Sequence, residues 1–165
     1  MITMRSFTLA LLAVAAAALA GCTDNTTGTT KTLSFTQVQG PGSLFAPFGD
    51  ATETKNPPGS GFALSAPLQD SSKKTVGEIN VVCIATKPSK GLFGNCYGTA
   101  DVPDGQLALI AGGEAEGDLT GSIVGGTGAY KGATGIFTTK STDAGLDDSF
   151  TFTLPQALET AGPSE

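Results

Sequence analysis

Short segments rich in β-branched and aromatic residues dominate this chain from Lys31 onward, and Gly, Pro, Asp and Asn separate them. Apolar residues in this region do not recur with the 3.6-residue period over the length of a helix. We therefore predict an all-β domain with eight strands, at residues 31–39, 60–68, 75–86, 93–102, 105–112, 119–126, 133–141 and 148–154.

The number and length of these strands favour an eight-stranded antiparallel β-barrel, whose interior holds side chains or one small ligand. A sandwich of two sheets is the alternative. In the sequence PDGQ at 103–106, Gly105 can take the positive φ of a tight hairpin turn. The segment Gly40–Gly59 contains four prolines and no predicted strand. A segment of that length is expected to be a lid or irregular.

The N-terminus has one basic residue, Arg5, then an apolar run that ends just before Gly21-Cys22. That run is shorter than the roughly 20 residues of a membrane-spanning helix, so it predicts an export signal. Because small residues precede the cysteine, the site resembles a bacterial lipobox, in which diacylglycerol is joined to Cys22. An ordinary signal peptide is the alternative.

These features divide the chain into four parts and predict an exported protein that is lipid-anchored at the cell envelope. The parts are a signal peptide at 1–21, a flexible tether at 22–30, the barrel at 31–154 and a disordered tail at 155–165.

The chain is acidic, with a net charge of −6, and it has no histidine. A negative surface repels nucleic acid, so DNA and RNA are excluded as partners. Histidine-based catalysis is excluded as well. We predict no metal and no cofactor. The expected partners are the membrane, through the lipid anchor, and a small hydrophobic ligand.

Two cysteines, Cys83 and Cys96, remain after export to an oxidising compartment. If residues 87–92 form a turn, the two cysteines lie opposite each other on adjacent strands. We predict a disulfide that stabilises the domain by roughly 3 kcal/mol. The alternative is a free reactive thiol at Cys83, although the sequence places no group nearby that would lower its pKa.

The stretch IVGGTGAYKGATG at 123–135 has the composition of a phosphate-binding loop. It lacks the Lys-Ser/Thr pair of a Walker loop, and Lys131 stands where a dinucleotide fingerprint needs its third glycine. A strand follows, whereas both motifs need a helix. We predict that these glycines shape a sharp turn between two strands; they are Gly125, Gly126, Gly128, Gly132 and Gly135.

In INVVCIA, at 79–85, apolar residues occupy both alternating positions. This pattern predicts a strand that is covered on both faces. A barrel wall leaves its outer face in water unless a terminal segment or another subunit covers it. Of the two, we favour a homo-oligomer.

Five blocks occur in a fixed order: GD at 49–50, APLQD at 66–70, KKTVGEINVVC at 73–83, CYGTADVPDGQLAL at 96–109 and GSIVGGTGAYKGATG at 121–135. Together they resemble the allene oxide cyclase barrel superfamily, which includes dirigent proteins. The resemblance implies an eight-stranded antiparallel barrel, a trimer, and an apolar cavity in which a reactive intermediate folds before it cyclises or couples.

The resemblance transfers one candidate catalytic residue, Cys83, which matches a cavity cysteine of the plant cyclases. Their first-strand glutamate has no acidic counterpart, because TLSFTQVQ offers only Thr36, Gln37 and Gln39. The paired aspartates of dirigent proteins correspond to Ser65 and Ala66. Catalytic residues otherwise stay unassigned.

Two functions from different classes follow. The first is a lipid-anchored, noncatalytic barrel that binds a small apolar ligand or a protein partner. The alternative is a cyclase or isomerase that folds a flexible polyunsaturated substrate in the cavity, where restriction of conformations lowers the barrier. In neither function do Glu78 and Tyr130 have a chemical role; we expect them to face solvent or to pack.

Overall fold

The computed structural model describes residues 28–51, 56–88, 93–114, 118–143 and 145–156. Among these residues there are nine strands and no helix: β1 Thr29–Gln37, β2 Leu44–Phe48, β3 Gly61–Gln69, β4 Thr75–Ala85, β5 Phe93–Val102, β6 Gly105–Glu114, β7 Leu119–Gly128, β8 Thr134–Thr142 and β9 Gly145–Leu154. The ranges described accordingly contain no helix that is long and apolar enough to cross a bilayer. The predicted signal peptide, Cys22, most of the tether and residues 157–165 of the tail lie outside the described residues.

The sheet closes on itself. Strands β3 to β9 form an antiparallel meander in which each strand pairs with the next, and β9 pairs with β1. Closure comes from two register pairs between β1 and β3, Thr36 with Gln69 and Gln37 with Leu68. The predicted eight-stranded antiparallel barrel is therefore confirmed, and its eight strands are β1 and β3–β9.

The eight predicted strands are all present, and their bounds differ from the structure by at most three residues. β1 begins at Thr29, so Thr29 and Thr30 belong to a strand rather than to the predicted tether. They pair with Leu154 and Thr153, and the Thr30 and Thr153 hydroxyls lie 3.3 Å apart. β9 begins at Gly145, three residues before the predicted start at 148.

The ninth strand, β2, lies inside the segment predicted to be without strands. It contains Pro47, and residues with positive φ, Gly42 and Gly49, flank it. Proline is tolerated on an edge strand, where its missing N–H is not needed for the ladder. β2 is such an edge strand, because among the described strands it pairs only with β3.

Side chains alternate between a dry interior and the outer surface. On β9, Phe150 and Phe152 point inward and are almost fully buried. The Phe150 ring lies 6.2 Å from the rings of both Phe35 and Phe137, measured between centroids. Alternation of apolar and polar residues thus builds the core, as expected for a barrel wall that faces water on one side.

The glycine-rich stretch ends β7, makes the turn and starts β8. Gly128 and Gly132 have φ of 58° and 76°, in the left-handed region that favours glycine. Next to them, Tyr130 is buried; its hydroxyl donates to the Pro103 carbonyl oxygen at 2.6 Å and its ring meets Phe152 edge-on. In β8, Gly135 leaves no room for a side chain against Phe152.

Within β7, the other two glycines adjoin an irregularity of the ladder. Ala108 on β6 faces Gly125, but Leu109 faces Ile123, so Val124 is an extra residue of β7 at a β-bulge. Gly126 packs against the backbone of Gln106 and Tyr130.

The outer face of the wall carries an apolar row. Val82, Tyr97 and Ile110 are direct neighbours across β4, β5 and β6, and each side chain is between 40% and 49% exposed. Ile84, also on the outer face of β4, is 38% exposed. Within one chain, the outer face of the INVVCIA strand is therefore open rather than covered.

Candidate ligand cavity

The barrel holds an apolar cavity of about 150 Å³ that is partly open to solvent. Its lining comes from β3 to β9 and contains two residues with a side-chain hydroxyl, Thr139 and Tyr97. The Tyr97 side chain is on the outer face, so Thr139 supplies the hydroxyl on the inner face. The lining residues are Phe62, Leu64, Ile79, Val81, Cys83, Cys96, Tyr97, Gly98, Leu109, Ala111, Leu119, Phe137, Thr139 and Leu146. An apolar space of this volume can hold a molecule the size of benzene.

Cys83 and Cys96 form a disulfide in the cavity wall, which confirms the predicted bridge. They are direct partners across β4 and β5, and both are buried. The turn considered at residues 87–92, at the tip of this hairpin, lies partly outside the described residues. In the bridged form Cys83 has no thiol, so it cannot supply the free cavity thiol for which the resemblance made it a candidate.

The positions that correspond to the dirigent aspartates lie on β3 and face opposite sides. Ala66 is fully buried, whereas Ser65 faces outward and its hydroxyl donates to Glu78 Oε1 at 2.5 Å. Glu78 is exposed on the outer face of β4. These positions therefore place no carboxylate in the cavity.

On the first strand, one of the three polar residues noted in the sequence is in the interior. Gln37 is 2% exposed, and its cross-strand partners are Leu68 and the cavity residue Leu146. Its Nε2 has no hydrogen-bond partner among the described residues. Thr36, by contrast, donates its hydroxyl to Asp147 at 3.0 Å on the outer surface.

A buried carboxyl group lies on the same interior face. Asp148 is 2% exposed and accepts a hydrogen bond from the Thr139 hydroxyl at 2.6 Å. Burial, which disfavours the charged form, raises the pKa of Asp148 to about 6; the Thr139 hydrogen bond opposes this shift and the charge of Asp147 adds to it. The second carboxyl oxygen, Oδ2, has no partner within the described part of the chain.

Gln37 and Asp148 are diagonal neighbours across β1 and β9. Gln37 faces Leu146, and Asp148 is two residues further along β9, opposite Phe35. Residues at this offset share one face of the sheet, within reach of long side chains. Since Thr139 lines the cavity and donates to Asp148, the polar groups lie next to the cavity near the β1–β9 pair.

Asp148 also lines a second, polar depression of about 530 Å³. Its rim includes hydroxyl groups of β1, β8 and β9, with Lys140, Asp147 and Asp70 as charged residues. The pKa of Asp70 is lowered by hydrogen bonds from the Ser72 hydroxyl and the Lys74 backbone. Asp148 thus lies between an apolar interior and a polar surface.

Asp148 was missed by the sequence analysis, although alternation could have found it. Leu146, Asp148, Phe150 and Phe152 occupy every second position of one strand and share its inner face. Because the predicted strand began at residue 148, the aspartate looked like a terminal residue and not like part of an interior row.

No family model matches the chain, and no curated protein matches it significantly. Solved structures do share its fold. One titled "Pyocyanin demethylase" superposes with a TM-score of 0.60 at 20% identity, over 75% of this chain and 99% of the other. The pterocarpan synthase dirigent protein GePTS1 gives a TM-score of 0.56 at 25% identity, over 79% and 88% of the two chains. The exo-specific intermolecular Diels-Alderase AbnU gives 0.52 at 13% identity, over 77% and 100%.

The barrel is dirigent-like. Its structural neighbours also include Diels-Alderase barrels, so the architecture belongs with dirigent and cyclase barrels. At these identities the likeness establishes architecture and leaves activity to be argued from the cavity.

Proposed function

We propose that this barrel binds a small, mainly apolar molecule in its interior cavity. The observation that carries the proposal is the apolar space of about 150 Å³ inside the barrel, whose lining residues Leu146 and Thr139 contact the buried polar residues Gln37 and Asp148. Binding sites of small molecules are typically apolar with a few placed polar groups. The volume limits the enclosed part of the ligand to about one ring.

A matched pair of variants on β6 tests this proposal. Ala111 lines the cavity, whereas Ala108 faces outward from the same strand and does not line it. Calorimetric titration with toluene should show binding to the wild type and to Ala108→Leu, and none to Ala111→Leu, where the larger side chain fills the space. Failure of toluene and other single-ring compounds to bind the wild type would contradict the proposal.

A second candidate function is that of a cyclase or isomerase, and Asp148 favours it. A carboxyl group with a pKa of about 6 is partly protonated near neutral pH, and its Oδ2 has no hydrogen-bond partner among the described residues, so the protonated form can donate to a substrate oxygen. A pterocarpan synthase dirigent protein and a Diels-Alderase share this architecture, which supports ring-forming chemistry as a function for such a barrel. Ring closure would then combine conformational restriction with one hydrogen bond to the developing charge.

This candidate is tested with a model unsaturated epoxide, by measuring the ratio of product enantiomers. An active barrel should shift the ratio from that of the uncatalysed reaction. Asp148→Asn should abolish the shift, while Asp147→Asn, on the outer surface of the same strand, should retain it. An unshifted ratio with the wild type would count against catalysis of this class.

We also propose that the domain is exported and held at the cell envelope by a lipid on Cys22. The support is the apolar N-terminal run followed by small residues and this cysteine. Intact mass of the protein from its native host should show a diacylglycerol increment, which Cys22→Ser should remove. A mature mass without the increment would favour a secreted protein.

We propose that the outer apolar row is a surface for self-association. Val82, Tyr97 and Ile110 form adjacent apolar positions on three strands and are exposed in one chain. Such a patch marks an interaction surface. Sedimentation velocity should show an oligomer, a trimer by resemblance, that Tyr97→Glu dissociates and Thr153→Glu, on the opposite wall, does not. A monomeric wild type would contradict this assignment.

A further inference from the structure

The strand β2 occupies an unusual place at the barrel seam. β1 and β2 pair with the same edge of β3: β1 with Leu68 and Gln69, and β2 with Gly61–Ser65. Residues 38–43 interrupt this composite strand with a turn, in which Ser43 bonds to the backbone of Gly40. Among the described strands, β9 pairs with β1 but not with β2, so no described strand covers the second edge of β2.

Phe45 of β2 is on the cavity side of this seam. Its direct partner on β3 is Leu64, and cross-strand partners share a face of the sheet. Its ring centroid lies 5.0 Å from that of Phe62, with an interplanar angle of 33°. Both Leu64 and Phe62 line the cavity, so the aromatic surface of the cavity continues to Phe45.

Phe45 is nevertheless 61% exposed, which is the largest exposed fraction among the large apolar side chains of the described residues. A ring on the interior face that remains open to solvent must lie at the cavity rim. An exposed aromatic ring that continues a binding cavity offers surface that a ligand can cover.

The cavity volume indicates that part of a larger ligand would contact this rim. About 150 Å³ accommodates one ring-sized group, and any further part of a ligand must extend beyond the enclosed space. The apolar surface that continues outward is the Phe62–Phe45 pair. A second planar apolar group of the same ligand would cover Phe45 and gain stacking contact there.

We propose that Phe45 is a specificity-determining residue that selects extended, apolar ligands of at least two connected ring-sized groups. One group occupies the cavity, and the second lies against Phe45 at the rim. This inference rests on the proposed binding function and adds to it the length and planarity of the ligand. It also gives β2 a role in recognition, distinct from barrel closure by β1.

The test compares a short and a long probe with the full-length chain. Toluene represents one ring, and N-phenyl-1-naphthylamine, a neutral fluorescent compound, represents two connected aromatic groups. The wild type should bind the long probe at least about tenfold more tightly than toluene. Phe45→Ala should weaken binding of the long probe by about five- to tenfold and change the affinity for toluene by less than about twofold.

Leu44 provides the matched control. It is 57% exposed on the same strand, but its partner is Ser65, on the outer face of β3. Leu44→Ala should leave both affinities unchanged, and Phe45→Trp should retain the long-probe affinity. Equal thermal midpoints of Phe45→Ala and Leu44→Ala would show that both variants fold alike.

Three results would overturn the inference, and they differ from one another. Equal affinity of the wild type for both probes removes the second subsite. Equal effects of Phe45→Ala and Leu44→Ala on the long probe remove the role of Phe45. If neither probe binds the wild type, cavity binding itself fails and this inference fails with it.

Discussion

The wall formed by β4 to β6 and the seam formed by β1 to β3 are built differently. In the wall, β5 and β6 pair without interruption from Phe93 to Val102, and a disulfide joins β4 to β5. At the seam, β1 meets β3 at two register pairs, and β2 covers the rest of that edge from outside the main meander.

Because of this difference, we expect the wall to stabilise the fold and the seam to contact a ligand. Continuous ladders and buried apolar side chains make a wall that opens only with the whole domain, whereas short pairing at an edge opens at lower free energy. Ligand-binding elements are generally drawn from such regions of low local stability. Phe45, at the cavity rim, lies in the seam; the residues that hold the cavity in shape lie in the wall.

The largest effect on stability is expected from a core residue of the wall. Leu107 on β6 is fully buried, so Leu107→Ala should lower the free energy of unfolding by about 2–5 kcal/mol through lost burial and a residual cavity. Phe45→Ala, at the exposed rim, should cost less than about 1 kcal/mol. Urea unfolding of both variants measures the contrast, and similar losses would show that the seam is as tightly built as the wall.

Loss of the disulfide should come next. The bridge joins residues 13 positions apart, and its removal in a Cys83→Ala, Cys96→Ala double variant should lower stability by about 3 kcal/mol. Hydrogen exchange should accelerate in β4 and β5 more than in β2, because the bridge constrains the wall. Faster exchange in β2 alone would contradict the division between wall and seam.

The buried carboxyl group gives a pH dependence whose sign can be worked out. The pKa of Asp148 is about 6 in the fold and 3.8 in its absence, so between these values the folded state binds more protons. Stability therefore falls as pH rises from about 4 to 6, by up to about 3 kcal/mol, and stays lower above pH 6. Lys140, Asp147 and Asp70 are the other charged residues that line the polar depression beside Asp148.

Asp148→Asn removes this titration while keeping the size of the side chain. Thermal unfolding across pH 4 to 8 should show a steeper loss of stability in the wild type than in the variant. Asp147→Asn, exposed on the same strand, should keep most of the wild-type pH dependence, reduced only by loss of the Asp147 charge that adds to the raised pKa of Asp148. Parallel pH profiles for wild type and Asp148→Asn would indicate that the carboxyl group is better solvated than its burial implies.

Local patterns in the sequence were sufficient to predict the eight barrel strands but not the pairing at the seam. Alternation and turn residues predicted strands such as 93–102, because both signals depend on near neighbours in the chain. β2 was missed because Pro47 argues against a strand unless its position at an edge is known. Gln37 was recognised as occupying a position of interest, but its burial depends on pairing with β3 and β9, which is long-range.

The glycine-rich turn between β7 and β8, which belongs neither to the wall nor to the seam, offers the smallest and most local test. Gly132 has φ of 76°, and an added Cβ would approach the Pro155 ring to 2.9 Å. Gly132→Ala should therefore cost about 1 kcal/mol, from backbone strain and the contact with Pro155. Gly125 has no atom within 4 Å of an added Cβ and no positive φ, so Gly125→Ala should change stability by less than about 0.5 kcal/mol. Urea unfolding of the two variants distinguishes a glycine that the turn requires from one that the strand tolerates. Equal losses in the free energy of unfolding would mean that the bulge at Val124 constrains Gly125 as strongly as the turn constrains Gly132.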